Sequence, residues 1–432
     1  MSADRDVFRA PKGTRDVLAP ESDRWVELVA RFADRARRFG YGLVVTPIFE
    51  HYEVFARIGE TTDVVSKEMY DFFDKGERHL ALRPEGTAGT VRAFVEHRPP
   101  TPWKVWYLAP NFRYERPQEG RYRQHFQLGV EALGSDDPQL DVEVIELLAG
   151  FYRDLGLRQV RLLVNSMGDA ESRARYRAVL LAHWHAHADL LGDDLARAEA
   201  NPLRILDSKR PDWLDMIERA PQIVEYLTDA SAAAFGQVQA GLRDVGIDFE
   251  IAPRLVRGLD YYTGTVFEFQ GLALAGSQNA IGGGGRLDGL VAEMGGPPTP
   301  AIGFGCGVER VLLACDAEGA LPAPTGRVDA FVVDALATGD ALVLLHELRE
   351  AGIAADRAYG GRSLKKQWGA ADKSGARFGV MLAPREFETG HVVVKDLATG
   401  EQTEVRRESV AAWLATRTPE RTLPDQPGAP SR

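Results

Sequence analysis

Trp103-Lys104-Val105-Trp106-Tyr107-Leu108-Ala109-Pro110-Asn111-Phe112-Arg113-Tyr114-Glu115 is followed, after a polar loop at 116–123, by Gln124-His125-Phe126-Gln127-Leu128-Gly129-Val130-Glu131-Ala132-Leu133. Both runs have strand character. The spacing predicts an antiparallel hairpin over 103–115 and 124–133 with a long basic loop between its strands. Alternation in the second strand puts Gln127, Gly129 and Glu131 on one face and Leu128, Val130 and Ala132 on the other. A polar face with a glycine gap thus lies opposite an apolar core face, and Glu131 is a candidate ligand contact.

A second stretch, Arg257-Gly258-Leu259-Asp260-Tyr261-Tyr262-Thr263-Gly264, gathers a cation, a carboxylate and two phenols where a strand begins. Thr265-Val266-Phe267-Glu268-Phe269 follows. Period two assigns Tyr262 and Gly264 to one face and Tyr261, Phe267 and Phe269 to the other. Gly264 then leaves room beside Tyr262 for a small polar ligand. Taken alone, the stretch fits equally a strand opening with a surface salt bridge.

The 432 residues allow two or three domains, and 44% hydrophobic with 27% charged residues is ordinary globular composition. The first residues carry no apolar signal region, and no apolar run is long enough to cross a bilayer, so a cytoplasmic protein without membrane contact is expected. Cys306 and Cys315 are the two cysteines. They are too few for a disulfide framework or a zinc site, and Cys306 reads as a small packing residue. A net charge of −11 excludes a generally basic nucleic-acid coat, so any RNA contact must be local. One basic segment exists: Arg357, Arg362, Lys365, Lys366, Lys373 and Arg377 face a single acid, Asp372, across 357–377. By itself that is a solvated helix face.

Along the chain, Trp25, Leu28, Val29, Phe32 and Ala36 predict an amphipathic helix over 21–40, followed by a strand over 42–47. Residues 168–246 are rich in Ala, Arg, Leu and Asp at helical spacing and read as a helical insertion. His183 and His187 share a helix face there, but no third ligand has usable spacing and a surface helix is the reading. The glycine runs at 282–285 and 303–307 fit neither a P-loop nor a dinucleotide fingerprint and suit close backbone approach. Leu321-Pro322-Ala323-Pro324-Thr325-Gly326 reads as a linker. Strands at 329–333, 378–382 and 392–396 and helices at 339–352 and 363–375 predict a small α/β domain with a mixed sheet. A Pro-containing tail, 416–432, is expected to be disordered.

The sequence resembles the histidyl-tRNA synthetases of bacterial type from Lys12-Gly13-Thr14-Arg15-Asp16 to the end of the second domain. The resemblance rests on Leu82-Arg83-Pro84-Glu85-Gly86-Thr87, on Phe112-Arg113-Tyr114-Glu115-Arg116-Pro117 with Gly120-Arg121-Tyr122-Arg123-Gln124, on 257–262, and on Gly303-Phe304-Gly305 leading to Gly307-Val308-Glu309-Arg310. Two of these blocks look like the second and third signature motifs of class II aminoacyl-tRNA synthetases. Tyr114 stands where the family more often has His. The resemblance implies an α+β fold: a class II catalytic core, built on an antiparallel sheet flanked by helices, over 1–325 with the 168–246 insertion. It also implies an α/β anticodon-binding domain over 326–415, and a homodimer built through the first helix and strand.

The implied activity is that of a histidine–tRNA ligase, which joins histidine to ATP as an adenylate and then esterifies its tRNA. A carboxylate must attack the α-phosphate, so cations dominate, and Arg matches phosphate geometry in a bidentate way. By resemblance, Arg113 and Arg257 hold the α-phosphate from either side, Arg121 and Arg310 take the outer phosphates, and Mg²⁺ bridges them. Glu115 contacts the adenine or the tRNA end. Glu85 and Thr87, with Gly86 between them, and Gln127 receive the α-ammonium. Glu131 and Tyr262 bond the two imidazole nitrogens, and Tyr261 is the less defined of the two tyrosines. The insertion would contact the tRNA acceptor end, and Arg362, Lys365, Lys366 and Lys373 the anticodon. Two other readings share the core: the non-catalytic regulatory subunit of ATP phosphoribosyltransferase, and a tRNA-sensing module of the kind fused to stress kinases. Both histidine-site blocks, the motif arginines and the second domain argue against them. Another class II specificity would lack the 257–262 block.

Overall fold

Why the polar face of the hairpin ends up lining a site follows from what covers its other face. The computed structural model describes residues 8–57, 64–118, 120–206, 208, 210–255, 261–275, 279–323 and 326–418. They form two units, divided between Pro322 and Ala323. In the first, helix α1 (Glu21–Arg38) buries Leu28, Phe32 and Ala36, spaced one turn apart. The strand expected at 42–47 is shorter: β1 (Gly42–Leu43) pairs with two residues of a neighbour, and Val44 adds one further hydrogen bond. β2 (Phe49–His51), β3 (Asp71–Phe73) and β4 (His79–Leu82) make a small antiparallel sheet in the order β2-β4-β3. Helix α2 (Thr87–His97) follows.

The hairpin is present as expected. β5 (Trp103–Phe112) and β6 (Gln124–Leu133) pair antiparallel along their full length, with Tyr107 opposite Gly129. Helix α3 (Pro138–Leu155) is capped by Asp137, which accepts from Gln139 N at 2.9 Å, and closed by Gly156 at φ 89°. Then come β7 (Val160–Ser166), α4 (Ala170–Ala186), α5 (Asp229–Asp244), β8 (Glu250–Ile251), β9 (Thr263–Gly271), β10 (Ala280–Arg286), β11 (Ala301–Gly307) and α6 (Val308–Glu318). The main sheet has the order β1-β5-β6-β11-β10-β9-β7-β8, antiparallel except at its two edges. Its core face carries Leu128, Val130, Ala132, Phe267, Phe269, Ile302 and Phe304 against α1, α3, α5 and α6.

Both glycine runs are central strands, which composition did not reveal because glycine disfavours strands. The 168–246 segment is helical but divides between two cores. Helix α4 and the short helices after it build a core of their own around Trp184, Leu180 and Trp213, whereas α5 gives Phe235, Val238 and Leu242 to the main one. Arg286 on β10 reaches the buried Asp141 of α3 at 2.6 Å and donates to the carbonyls of Ser135 and Asp137, tying sheet to helix.

The second unit holds β12 (Ala330–Asp334), α7 (Asp340–Glu350), β13 (Ala355–Arg357), α8 (Leu364–Ser374), β14 (Phe378–Leu382), β15 (His391–Asp396), β16 (Gln402–Arg406) and α9 (Val410–Ala415). The sheet order β13-β12-β14-β15-β16 is parallel across the first three strands and antiparallel beyond, the mixed α/β arrangement expected. Thr416, Arg417 and Thr418, expected to belong to the tail, hydrogen-bond back to α9 instead. The rest of the tail lies outside the described residues.

Candidate active site

The polar face of β6 and the bare backbone of β11 form the floor. Their antiparallel register sets Gly303 opposite Glu131, Gly305 opposite Gly129 and Gly307 opposite Gln127. A Cβ on Gly303 would collide with the Glu131 carboxylate, and one on Gly305 with the Gln127 amide. The alternating glycines of β11 therefore give these two side chains room to lie across the sheet.

Glu131 is fully buried. Its Oε1 accepts from Thr87 Oγ1 at 2.6 Å and from the Tyr107 hydroxyl at 3.4 Å, while Oε2 has no hydrogen-bond partner. Burial pushes this carboxyl well above the usual range, the Thr87 bond opposes that, and the Glu85 charge adds to it. Glu85 is also buried, and each of its oxygens accepts one backbone bond, from Thr87 N at 2.6 Å and Ala88 N at 2.8 Å, at the start of α2, which leaves further acceptor capacity on both. Thr87 thus orients Glu131, and Glu85 holds the helix that carries Thr87. Gly86 lets the Tyr107 ring approach, since a Cβ there would run into it.

Beside this pocket is a cavity of about 230 Å³ lined by Arg113, Glu115, Arg121, His125, Gln127 and Arg310, with Gly120, Tyr122, Gly307 and Glu309. Three arginines converge on it, Arg113 and Arg121 from the loop between β5 and β6 and Arg310 from α6. Arg113 is held by Nε donating to the Pro84 carbonyl at 2.8 Å. Arg121 is ion-paired with Glu115, including a 3.0 Å bond from Nη2 to Oε1. Burial and the nearby Arg121 make protonation of Arg310 less favourable than usual. Gln127 lines this cavity, lies on the same face of β6 as Glu131 and accepts from Asn111 Nδ2 at 2.7 Å.

Sequence reasoning passed over several residues here. His125 shares the face of Gln127 and Glu131 by alternation, so the signal was available. Burial, then Arg113 and Arg121, lower its pKa to about 3, and the ring is neutral. Glu309 lay inside a quoted motif; its carboxylate accepts from Phe126 N at 3.0 Å, and burial raises it to about 7. Tyr107, opposite Gly129, was legible only once the register was known.

The tyrosine pair needs correction. β9 begins at Thr263, and the register with β10 shifts where Gly264 sits at φ 45°, so strict alternation does not run back to Tyr261. Tyr261 packs in the cluster around α2, apart from Phe267 and Phe269 in the main core. It is buried, and burial, then Tyr262 and the charges of Glu85 and Glu131, push its phenol well above the ordinary value. Tyr262 is half-buried with its ring 4.7 Å from that of Tyr261. Arg257 lies outside the described residues. His183 and His187 bond the carbonyls of Met216 and His183, at 3.0 and 2.8 Å, and among the described residues no three potential ligands cluster. In the second unit Arg362, Lys365, Lys366 and Lys373 are all exposed, the last three on α8.

The profile of the histidyl-tRNA synthetase family matches residues 13–311, and that of the anticodon binding domain residues 330–417. The chain is 50% identical over 414 residues to the histidine–tRNA ligase of Rhodococcus erythropolis, covering 94% of this chain and 97% of that one. It is 46% identical to that of a Geobacillus species over 95% of this chain and 99% of the relative. Among solved structures it is similar to the apo histidyl-tRNA synthetase of S. aureus, with a TM-score of 0.80, 35% identity, and 94% and 100% of the two chains covered. A Bacillus halodurans protein described as an ATP phosphoribosyltransferase regulatory subunit/histidyl-tRNA synthetase shares the fold at 21% identity, with a TM-score of 0.63, over 87% of this chain and 98% of that one.

Proposed function

This chain belongs to the histidyl-tRNA synthetase family, and from that premise we propose which of its residues carry the reaction. The activity is that of a histidine–tRNA ligase. Histidine and ATP give histidyl-adenylate and pyrophosphate, and histidine then passes to the 3′-terminal adenosine of its tRNA. The regulatory-subunit reading is the weaker one: the 46–50% relatives are ligases, and the 21% neighbour shares only the fold.

One observation carries the site proposal. Arg113 and Arg121 of the hairpin loop meet Arg310 of α6 in one cavity, and Gln127, which lines it, shares the polar face of β6 with a buried carboxylate that has one oxygen open. Arg113 stabilises charge on the α-phosphate as a histidine carboxylate oxygen bonds to phosphorus and pyrophosphate departs. Arg121 leaves Glu115 for the outer phosphates, which Arg310 also meets. Gln127 receives the α-ammonium, and Glu131 takes a ring N–H. Glu85 and Thr87 join Gln127 at the α-ammonium, and Thr87 also orients Glu131. Tyr261 and Tyr262 close the ring pocket, and Arg257 completes the α-phosphate clamp. Mg²⁺ would come as the companion of ATP phosphates rather than into a side-chain cage, and would supply neutralisation of phosphate charge. Once Arg121 has left Glu115, Glu115 and Glu309 are the cavity carboxylates that would hold it.

Two further parts of the reading concern partners. The exposed Leu43, Val45, Ile48, Phe49, Phe72 and Phe73, with the rings of Phe49 and Phe72 6.4 Å apart, make an apolar surface suited to a homodimer. Arg362, Lys365, Lys366 and Lys373 meet the anticodon arm, and the insertion core meets the acceptor end. No described helix is long and apolar enough to cross a membrane; the proposed location is the cytoplasm. The test is ATP–pyrophosphate exchange without tRNA across all amino acids. Exchange with histidine alone supports the assignment, and exchange with none overturns it.

A further inference from the structure

Tyr107 has no role in the reaction as described so far, yet the architecture makes room for it from two sides. It stands on β5 directly opposite Gly129 of β6. A Cβ on Gly129 would meet both its ring and its hydroxyl, and a Cβ on Gly86, at the start of α2, would meet the same ring. Two separate elements thus give up a side chain to admit one phenol into a buried polar site. The ring is buried, so the choice of Tyr over Phe needs a partner for the hydroxyl.

That partner set is the Glu131–Thr87 pair. The Tyr107 hydroxyl lies 3.4 Å from Glu131 Oε1, the same oxygen to which Thr87 Oγ1 donates at 2.6 Å. Both protein donors converge on one carboxylate oxygen. The other, Oε2, is buried and unpartnered, and it is the atom nearest to where a Cβ of Gly303 would stand. A buried carboxylate oxygen without a donor is costly unless a ligand supplies one. Burial and the charges of Glu131 and Glu85 hold the Tyr107 phenol well above its ordinary pKa, so it remains a donor.

We infer that Tyr107 is a positioning residue for histidine selection: with Thr87 it saturates Oε1 of Glu131 and leaves Oε2 as the single acceptor for a ring N–H. The inference rests on the assignment of Glu131 to the imidazole. A carboxylate free to turn could offer either oxygen at several angles and would accept rings of looser geometry. One pinned by two donors presents one acceptor, and a ring without an N–H at that point leaves it unpaired.

The test compares the wild-type chain with Tyr107→Phe, which keeps the ring between the two glycines and removes only the hydroxyl. Histidine-dependent ATP–pyrophosphate exchange is measured with rates normalised to active sites, so a misfolded fraction does not enter. Thienylalanine, a ring of similar size without N–H, is the competing substrate. The expected result is a KM for histidine raised about tenfold, the worth of one hydrogen bond to a buried carboxylate, with KM for ATP and the saturated rate kept within about twofold. Preference for histidine over thienylalanine should fall by a similar factor. An unchanged KM and preference would overturn the inference, as would a parallel loss in both KM values and rate, which marks a purely structural residue. If the wild-type chain shows no histidine-dependent exchange, it is the parent assignment that fails.

Discussion

Gly303 faces Glu131 across the β6–β11 ladder so closely that a side chain on the glycine and the present position of the carboxylate cannot coexist. Neighbouring backbone narrows the space further, with the Val130 carbonyl also close to the added atom. The glycine is thus required for a side-chain position two strands wide. It is not required for a turn, because Gly303 is not among the glycines with positive φ.

Gly303→Ala should therefore act on histidine before it acts on ATP. The methyl displaces Glu131 from its Thr87 bond, and an uncompensated shift of about 1 Å in a positioning group can cost roughly 10²-fold. The expected outcome is a loss of that order in kcat/KM for histidine with the dissociation constant of ATP little changed, read by exchange kinetics and calorimetry. Equal weakening of both substrates would count against the placement of Glu131 in the ring pocket.

Arg113→Ala should slow adenylate formation by on the order of 10²–10³, the usual scale for removing one preorganised charge from a transition state. Single-turnover formation of the adenylate, followed without tRNA, isolates that step. Because Arg113 also helps to keep His125 neutral, the variant should raise the His125 pKa from about 3, which the imidazole carbon chemical shift reports across a pH titration.

Glu309 gives a pH-dependent stability prediction. Burial raises its carboxyl from 4.5 to about 7, so the folded chain binds a proton more tightly than the unfolded one. The stability this contributes is complete below about pH 4.5 and is lost as pH rises through about 7. Glu309→Gln keeps an acceptor for Phe126 N and cannot ionise. Its Tm relative to the wild-type chain should rise between pH 5.5 and pH 8, and a constant offset over that range would refute the shift.

How far these features could be read in advance depends on which force set them. The 103–133 hairpin was legible because aromatic and β-branched residues alternate over ten positions per strand. Its polar face carried Gln127 and Glu131 to the site in the order alternation gives. β10 was not legible as a strand: its Gly282-Gly283-Gly284-Gly285 has no side chains to form a pattern, and it is held by neighbours on both edges. Tyr261 was misassigned because a single residue at positive φ, Gly264, breaks the pleat between it and Phe267. Glu85 read as a ligand contact in one dimension, and the start of α2 adds a second role, since its two oxygens also accept from the backbone N–H groups of Thr87 and Ala88. The approach of Arg310 to Arg113 and Arg121 is tertiary, and its separation along the chain from their hairpin loop hides it.

The proposed tRNA contact of α8 can be tested separately from histidine activation. Lys365 and Lys366 are exposed in its first turn, a placement unfavourable to the helix dipole and so better explained by an external anion. Phosphate contacts of this kind contribute through counterion release. Lys365→Glu combined with Lys366→Glu should raise the KM for tRNA at least about tenfold and flatten its salt dependence, as two phosphate contacts are lost. Histidine-dependent pyrophosphate exchange, which uses no tRNA, should be unchanged. Charging assays from 50 to 200 mM salt provide the comparison. A wild-type salt slope in the double variant would remove α8 from the tRNA interface, while a fall in exchange would mean that the substitutions had damaged the enzyme itself.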